Sequence, residues 1–183
     1  MVRLINWFLS YDVQLFNFMN HRLQCKVLDW TMPRFTHLGG AVFTICILLA
    51  VMLAFSSPVS SWAFEALLAL AISHIIVHIM KKLFPRSRPY TVHPNTRFFI
   101  YRLKDFSFPS GHATAAFSIS VVFSYYSLFS AVVLLPLAAL IAFSRMYLGV
   151  HYPTDCITGG AIGTLTALAV VSSDFHTLWL IYD

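Results

Sequence analysis

Long uncharged runs separate a few short polar segments along this chain. Residues 35–64, 106–144 and 156–173 contain no Lys, Arg, Asp or Glu. A transmembrane helix needs about 20 mostly apolar residues, so the first and third runs each hold one span and the second holds two. A fifth, less apolar span carries Glu65, His74 and His78. The predicted spans are 38–55, 62–80, 113–129, 131–145 and 153–172.

Residues 1–20 show a helical pattern of another kind. Polar side chains recur at helical spacing on one face and apolar side chains line another, with Asp12 inside the segment. This pattern favours an amphipathic helix in the membrane interface. The alternative is a sixth span. The polar positions are Asn6, Ser10, Gln14 and Asn17, and the apolar ones are Ile5, Phe8, Leu9, Val13, Phe16 and Met19.

Composition supports the same class of protein. The 183 residues are 58% hydrophobic and 10% charged, against about 25% charged in soluble proteins. We therefore predict an all-α, polytopic membrane helix bundle of about five or six transmembrane helices, forming one domain over 1–183. Within it, 1–36 is an N-terminal interfacial region and 81–108 a loop with candidate chemistry. The three cysteines are widely spaced, so no disulfide or zinc framework follows.

The first polar segment with candidate chemistry carries Lys81 and Arg88 at a helix end. Pro85 and Pro89 stop the helix and would hold Arg88 at a fixed place near the interface. For Lys81 and Arg88, an anion-binding role and a basic cap reaching toward lipid headgroups are both open. For their neighbours Lys82 and Arg86 we expect only the basic cap.

The second segment is Pro109-Ser110-Gly111-His112, immediately before a long apolar helix. Ser110 is a good N-cap, and Gly111 lets another group approach the backbone closely. Free N–H groups at a helix start favour anions, and His112 would face such an anion from the first turn. The alternative is an ordinary capped helix with a histidine at the interface.

The third segment contains Arg145, His151 and Asp155. Pro153 is well suited to the first position of a helix, which places His151 and Asp155 on either side of the helix start. A carboxylate that accepts from one imidazole nitrogen would leave the other nitrogen free as a nucleophile. Arg145 adds a planar group that can bind phosphate with two hydrogen bonds. The alternative is a loop whose polar side chains satisfy its own backbone.

Span parity brings these segments together. Lys81 and Arg88 follow the second span, His112 opens the third, Arg145 ends the fourth, and His151 precedes the fifth. Alternating spans therefore place the three segments on one side of the membrane. The Lys and Arg distribution favours the cytoplasmic side by the positive-inside rule.

The three motifs, in this order and at this spacing, resemble the type 2 phosphatidic acid phosphatase superfamily of integral membrane lipid phosphatases. The resemblance covers 81–155. It implies that His151 is the nucleophile that becomes phosphorylated, oriented by Asp155, and that His112 is the general acid and then the base for water. The phosphoryl oxygens would be bound by Lys81, Arg88, Ser110, Gly111 and Arg145.

The resemblance also implies an activity and a place in the cell. The expected enzyme is a multi-pass protein of the cell membrane that hydrolyses a lipid phosphate without a metal or other cofactor, with no nucleic-acid partner. Undecaprenyl diphosphate is the favoured substrate, and phosphatidylglycerophosphate and phosphatidic acid are the alternatives. A lipid phosphotransferase and a non-catalytic anion-binding protein are the other classes. Bacterial members of the family commonly work on the outer face, opposite to the side that the positive charges favour.

Overall fold

The computed structural model describes residues 2–99 and 103–173, with side chains from residue 10 onward. Every regular element in these ranges is helical, which confirms the predicted all-α class. A π-helical turn, Phe18–Arg22, follows the first helix, and a 3-10 turn, Thr36–Gly39, follows the second. The helices are α1 Val2–Asn17, α2 Lys26–Phe35, α3 Ala41–Ala54, α4 Val59–Leu83, α5 Pro89–Val92, α6 Gly111–Tyr126, α7 Leu128–Tyr147 and α8 Pro153–Val171.

Each of the five predicted spans coincides with a helix, but not all are long enough to cross a bilayer alone. Within the described residues, α4, α7 and α8 meet the length and composition of a span. The helical stretch 26–39 and α3 are bent by 59° and would together make a fourth. Helix α6 has 16 residues, or about 24 Å, against a hydrocarbon core of about 30 Å. By length and composition, the described residues therefore contain three or four candidate spans.

Helix α6 packs against α4, α7 and α8 and lies at the centre of the bundle. Small residues of α8 make the closest approach, because a Cβ on Gly159 or Gly163 would clash with the backbone of Ser110 or Thr114. The N–H of Ser110 also donates to the carbonyl of Asp155 at 3.0 Å. This packing holds the starts of α6 and α8 side by side.

Helix α1 is amphipathic over the side chains that the structure describes. Ser10, Gln14 and Asn17 are exposed, whereas Phe16 is fully buried. The Phe16 ring lies 5.5 Å from that of Tyr152, next to the start of α8. Asp12 is buried on this same inner face, which the amphipathic pattern did not indicate. The predicted position of α1 in the membrane interface stays a prediction.

Candidate active site

A cavity of about 280 Å³ opens between the ends of α4, α6 and α7. Six of the eight predicted site residues line it, and they are Lys81, Arg88, Gly111, His112, Arg145 and His151. The two others, Ser110 and Asp155, are fully buried beside it. His74 and His78 of α4 also line the cavity. The structure thus brings the three polar segments together around one space.

His151 presents one ring nitrogen to the cations and the other to a carboxylate. Its Nε2 lies 3.2 Å from Nη1 of Arg88. A guanidinium has only donors, so Nε2 accepts this hydrogen bond and the ring proton is assigned to Nδ1. Burial and the charges of Arg88 and Arg145 together lower the pKa of His151 to about 3, against the opposing effect of Asp155. His151 is therefore neutral at neutral pH, with a lone pair on Nε2.

Asp155 is placed differently from the sequence-based expectation. It lies 3.5 Å from Nδ1 of His151, and that nitrogen makes no hydrogen bond within the described residues. The Asp155 oxygens instead accept from the Ser107 hydroxyl, from the Tyr152 N–H at 2.8 Å and from Arg86 at 2.8 Å. These donors hold the carboxylate at the start of α8, where its Oδ2 faces the imidazole without a hydrogen bond.

Two of the three cavity cations share a carboxylate that sequence reasoning missed. Lys81 Nζ donates to Oδ2 of Asp105 at 2.6 Å, and Arg88 Nη2 donates to Oδ1 at 2.8 Å. Burial alone would raise the pKa of Asp105, but the hydrogen bond from Lys81 and the charges of Arg88 and Lys81 lower it to about 2. Asp105 is thus an anion at the rim of the cavity, in contact with two of the predicted phosphate-binding groups.

Arg145 links this cavity to a second one. Its Nη1 donates to the Thr36 hydroxyl at 2.6 Å, and its side chain is almost fully buried. The second cavity, of about 560 Å³, is lined by Thr36 and His37 and shares Arg145, His112 and Leu103 with the first. His112 and Arg145 therefore stand at the boundary between two adjoining spaces.

The start of α6 matches the predicted anion site only in part. Ser110 is the N-cap residue, but its side chain makes no capping hydrogen bond. A Cβ on Gly111 would meet Nε2 of His74 at 3.8 Å, an ordinary contact, so packing does not require a glycine there. The free N–H groups of the first turn stay available to a bound anion.

Arg86 is the second functional candidate that the sequence did not identify. We expected a basic cap that reaches toward lipid headgroups, and this expectation is wrong. Its Nη1 donates to Oδ1 of Asp155, its Nη2 donates to Oδ2 of Asp12 at 2.6 Å, and its guanidinium lies 3.8 Å from the ring centre of Tyr152. The spacing from Arg88 gave no signal of this, since residues two apart in an extended segment lie on one face, whereas Arg86 contacts Asp155 and Arg88 contacts His151.

Comparisons with known proteins agree with this geometry. The sequence profile of the PAP2 superfamily matches residues 62–178. A putative undecaprenyl-diphosphatase of Escherichia coli, YbjG, is 38% identical over 116 residues, which is 61% of this chain and 58% of that protein. The aligned part thus spans less than two thirds of the E. coli relative.

Two further relatives match over more of the chain. Phosphatidylglycerophosphatase B of Bacillus subtilis is 26% identical over 80% of this chain and 75% of its own length. The crystal structure of Aquifex aeolicus LpxE superposes with a TM-score of 0.79 at 26% identity, covering 87% of this chain and 94% of that one. These matches support the multi-pass membrane fold that the apolar helices indicate.

Proposed function

Because the chain belongs to the PAP2 superfamily, we propose that it is a lipid phosphatase that hydrolyses a lipid-linked phosphate or diphosphate through a phosphohistidine at His151. One observation carries this proposal. The neutral imidazole of His151 lines a small cavity together with three cations and His112. A phosphoryl transition state spreads negative charge over its oxygens, and fixed cations and N–H donors stabilise that charge.

In the first step, the Nε2 lone pair of His151 attacks phosphorus and the bond from phosphorus to the leaving oxygen breaks. His112 takes up a proton when the phosphate anion binds beside it, and it gives this proton to that oxygen, so that the lipid alcohol or lipid monophosphate leaves. Arg88 exchanges its contact with Nε2 for a phosphoryl oxygen, and Lys81 and Arg145 bind the others. Asp155 offsets the positive charge that develops on the His151 ring.

In the second step, neutral His112 accepts a proton from water, and the water oxygen attacks the phosphorus of phosphohistidine. The N–P bond breaks and its electron pair returns to Nε2 of His151. Inorganic phosphate leaves, and the histidines recover their starting states. The two steps together use one water and need no oxidant, reductant or metal ion.

A specific observation favours a diphosphate substrate. The second cavity begins at His112, the residue that meets the leaving group, and offers the Thr36 hydroxyl and His37 there. A leaving group that carries its own phosphate would find hydrogen-bonding groups in this space, whereas a plain alcohol has no phosphate to place there. The name of the E. coli relative agrees, and that of the B. subtilis relative keeps phosphatidylglycerophosphate as the alternative. We propose undecaprenyl diphosphate as the substrate, with the bilayer as its source.

Contacts of the N-terminal region and of the loop 81–108 support the proposal that the described residues form one domain. Asp12 of α1 bonds to Thr154 of α8, and Arg88 of the loop 81–108 bonds to the carbonyl of Val150. The N-terminal region and this loop are therefore both attached to the catalytic segment.

Phosphate release from purified protein in detergent tests the function. The panel contains undecaprenyl diphosphate, phosphatidylglycerophosphate and phosphatidic acid, each with EDTA. We expect phosphate release that EDTA does not reduce. In His151→Ala the rate of release should fall by about 10³-fold or more, as it does when an enzyme loses its nucleophile. Arg97→Ala should stay within about twofold, because Arg97 lines neither cavity. Equal activity of His151→Ala and wild type would contradict the mechanism.

The leaving-group site has its own test. Thr36→Val keeps the shape of the side chain but removes the hydroxyl that Arg145 bonds. We expect kcat/KM for the diphosphate to fall about tenfold, and that for phosphatidic acid to fall by about twofold or less. An equal fall for both substrates would assign Thr36 to the phosphoryl group itself and remove the support for a diphosphate.

A further inference from the structure

A buried carboxylate of α1 lies directly behind the catalytic segment. The Asp12 side chain is only 1% exposed, although α1 exposes Ser10, Gln14 and Asn17 on its other face. A carboxylate in such a place is costly unless its charge is balanced and its oxygens accept hydrogen bonds. The partners of Asp12 therefore indicate what the buried charge does.

Both oxygens of Asp12 are bound to the start of α8. Oδ1 accepts from the N–H of Thr154 at 2.9 Å, and Oδ2 accepts from the Thr154 hydroxyl at 2.7 Å. The first N–H groups of a helix have no partner inside it, so Asp12 caps α8 from another helix. Its negative charge also lies at the positive end of the α8 dipole, where anions are favoured.

Arg86 continues this contact to the catalytic residues. It joins Oδ2 of Asp12 at 2.6 Å to Oδ1 of Asp155 at 2.8 Å. The other oxygen of Asp155 lies 3.5 Å from Nδ1 of His151. Direct contacts therefore run from Asp12 through Arg86 and Asp155 to His151, and the two carboxylates are buried while Arg86 is 23% exposed.

We propose that Asp12 and Arg86 are positioning residues for His151. They fix the start of α8 and the Asp155 carboxylate, and through these the orientation and charge balance of the imidazole. The buried Phe16 ring against Tyr152 holds α1 in place for this purpose. The inference rests on the proposed function in that His151 is the nucleophile, and it makes α1 part of the catalytic apparatus.

Steady-state kinetics of the full chain with undecaprenyl diphosphate test the inference. Asp12→Asn keeps the shape and removes the charge, and we expect kcat to fall about tenfold with KM within about twofold. Asp29→Asn is the matched control, since Asp29 also belongs to the N-terminal region and also pairs with an arginine, Arg97, at 3.5 Å. Its kcat should change by less than about twofold.

Changes at Arg86 separate positioning from general stability. Arg86→Gln should lower kcat about 30- to 100-fold, because Asp155 and Asp12 both lose their cation. Arg86→Lys should recover part of this loss, whereas a variant that is merely misfolded would not be rescued by charge. The double variant with Asp12→Asn should be no slower than Arg86→Gln alone, since both act through one chain of contacts. Multiplied effects, or an unchanged kcat in Asp12→Asn, would overturn the inference.

Amide hydrogen exchange gives a readout that does not need turnover. In Asp12→Asn, exchange in residues 151–156 should become faster than in wild type, and in Asp29→Asn it should not. Unchanged exchange in Asp12→Asn would overturn the inference even if the wild type were inactive. A wild type that releases no phosphate, with exchange accelerated as expected, would instead contradict the proposed function and leave the positioning of His151 standing.

Discussion

Arg86 and Arg88 are the same kind of residue two positions apart, yet they lie on opposite sides of His151, the proposed nucleophile. Arg88 lines the cavity and contacts Nε2 of His151, the nitrogen with the lone pair. Arg86 lies behind and contacts Asp155, which faces Nδ1. One short segment therefore supplies one cation beside Nε2 of His151 and a second cation beside the carboxylate that faces Nδ1.

The partners of the two arginines explain why their roles differ. Arg88 pairs with Asp105, whose side chain is 55% exposed, so a phosphate can take its place. Arg86 pairs with Asp12 and Asp155, which are 1% and 0% exposed. Separating a buried pair leaves an uncompensated charge and is strongly unfavourable. A cation with an exchangeable partner can bind substrate, and one with two buried partners can only hold the structure around it.

The largest effect that tests this contrast is expected for Arg88→Gln. Loss of the Arg88 guanidinium removes a hydrogen-bond donor to the transition state, which should lower kcat/KM by about 10²- to 10³-fold and raise KM as well. Arg86→Gln, measured beside it, should lower kcat alone. Identical changes in kcat and KM for the two variants would contradict the assignment of substrate binding to Arg88 and of positioning to Arg86.

A smaller effect is expected for Asp105→Asn. Asp105 pairs with Lys81 and Arg88, for which it would compete with phosphate in the proposed mechanism. Its removal should therefore lower the inhibition constant of inorganic phosphate by about threefold to tenfold. Because the pKa of Asp105 is about 2, the group is ionised throughout the range from about pH 5 to pH 9. The difference between Asp105→Asn and wild type should therefore be the same across that range. A raised inhibition constant would show that Asp105 is needed to hold the cations in place.

The smallest effect is expected for Lys82→Ala. Lys82 is exposed at the end of α4, next to Lys81, and does not line the cavity. Exposed charges contribute little, so kcat/KM should stay within about twofold of wild type. A loss comparable to that of Lys81→Ala would mean that binding depends on the general positive charge of the segment and not on the cavity.

Much of the fold could be predicted from uncharged runs, because a span must be long and apolar. We divided the run 106–144 into the spans 113–129 and 131–145, and α6 ends at Tyr126, three residues before the predicted end. The Ser127 hydroxyl accepts from the N–H of Ser130 and begins α7. The residue at which one helix stops depends on such a local hydrogen bond, which hydropathy does not contain.

Six of the cavity-lining residues could be predicted because motif order and span parity both place them on one side. Asp12 and Asp105 could not, since each depends on a contact across many residues of chain: Asp12 with Arg86, and Asp105 with Lys81. For the same reason the sequence suggested a hydrogen bond between Asp155 and His151. It could not show that the Asp155 oxygens accept hydrogen bonds from Ser107, Tyr152 and Arg86 instead.

The most direct test of the account is to trap the intermediate. Wild type and His112→Ala are mixed with lipid diphosphate labelled in its terminal phosphate, quenched with alkali within one turnover, and digested for mass spectrometry. We expect label on the peptide that contains His151, attached through nitrogen and absent from His151→Ala. Rapid phosphate release by wild type with no label on His151 at any quench time, or label on another residue, would contradict the account.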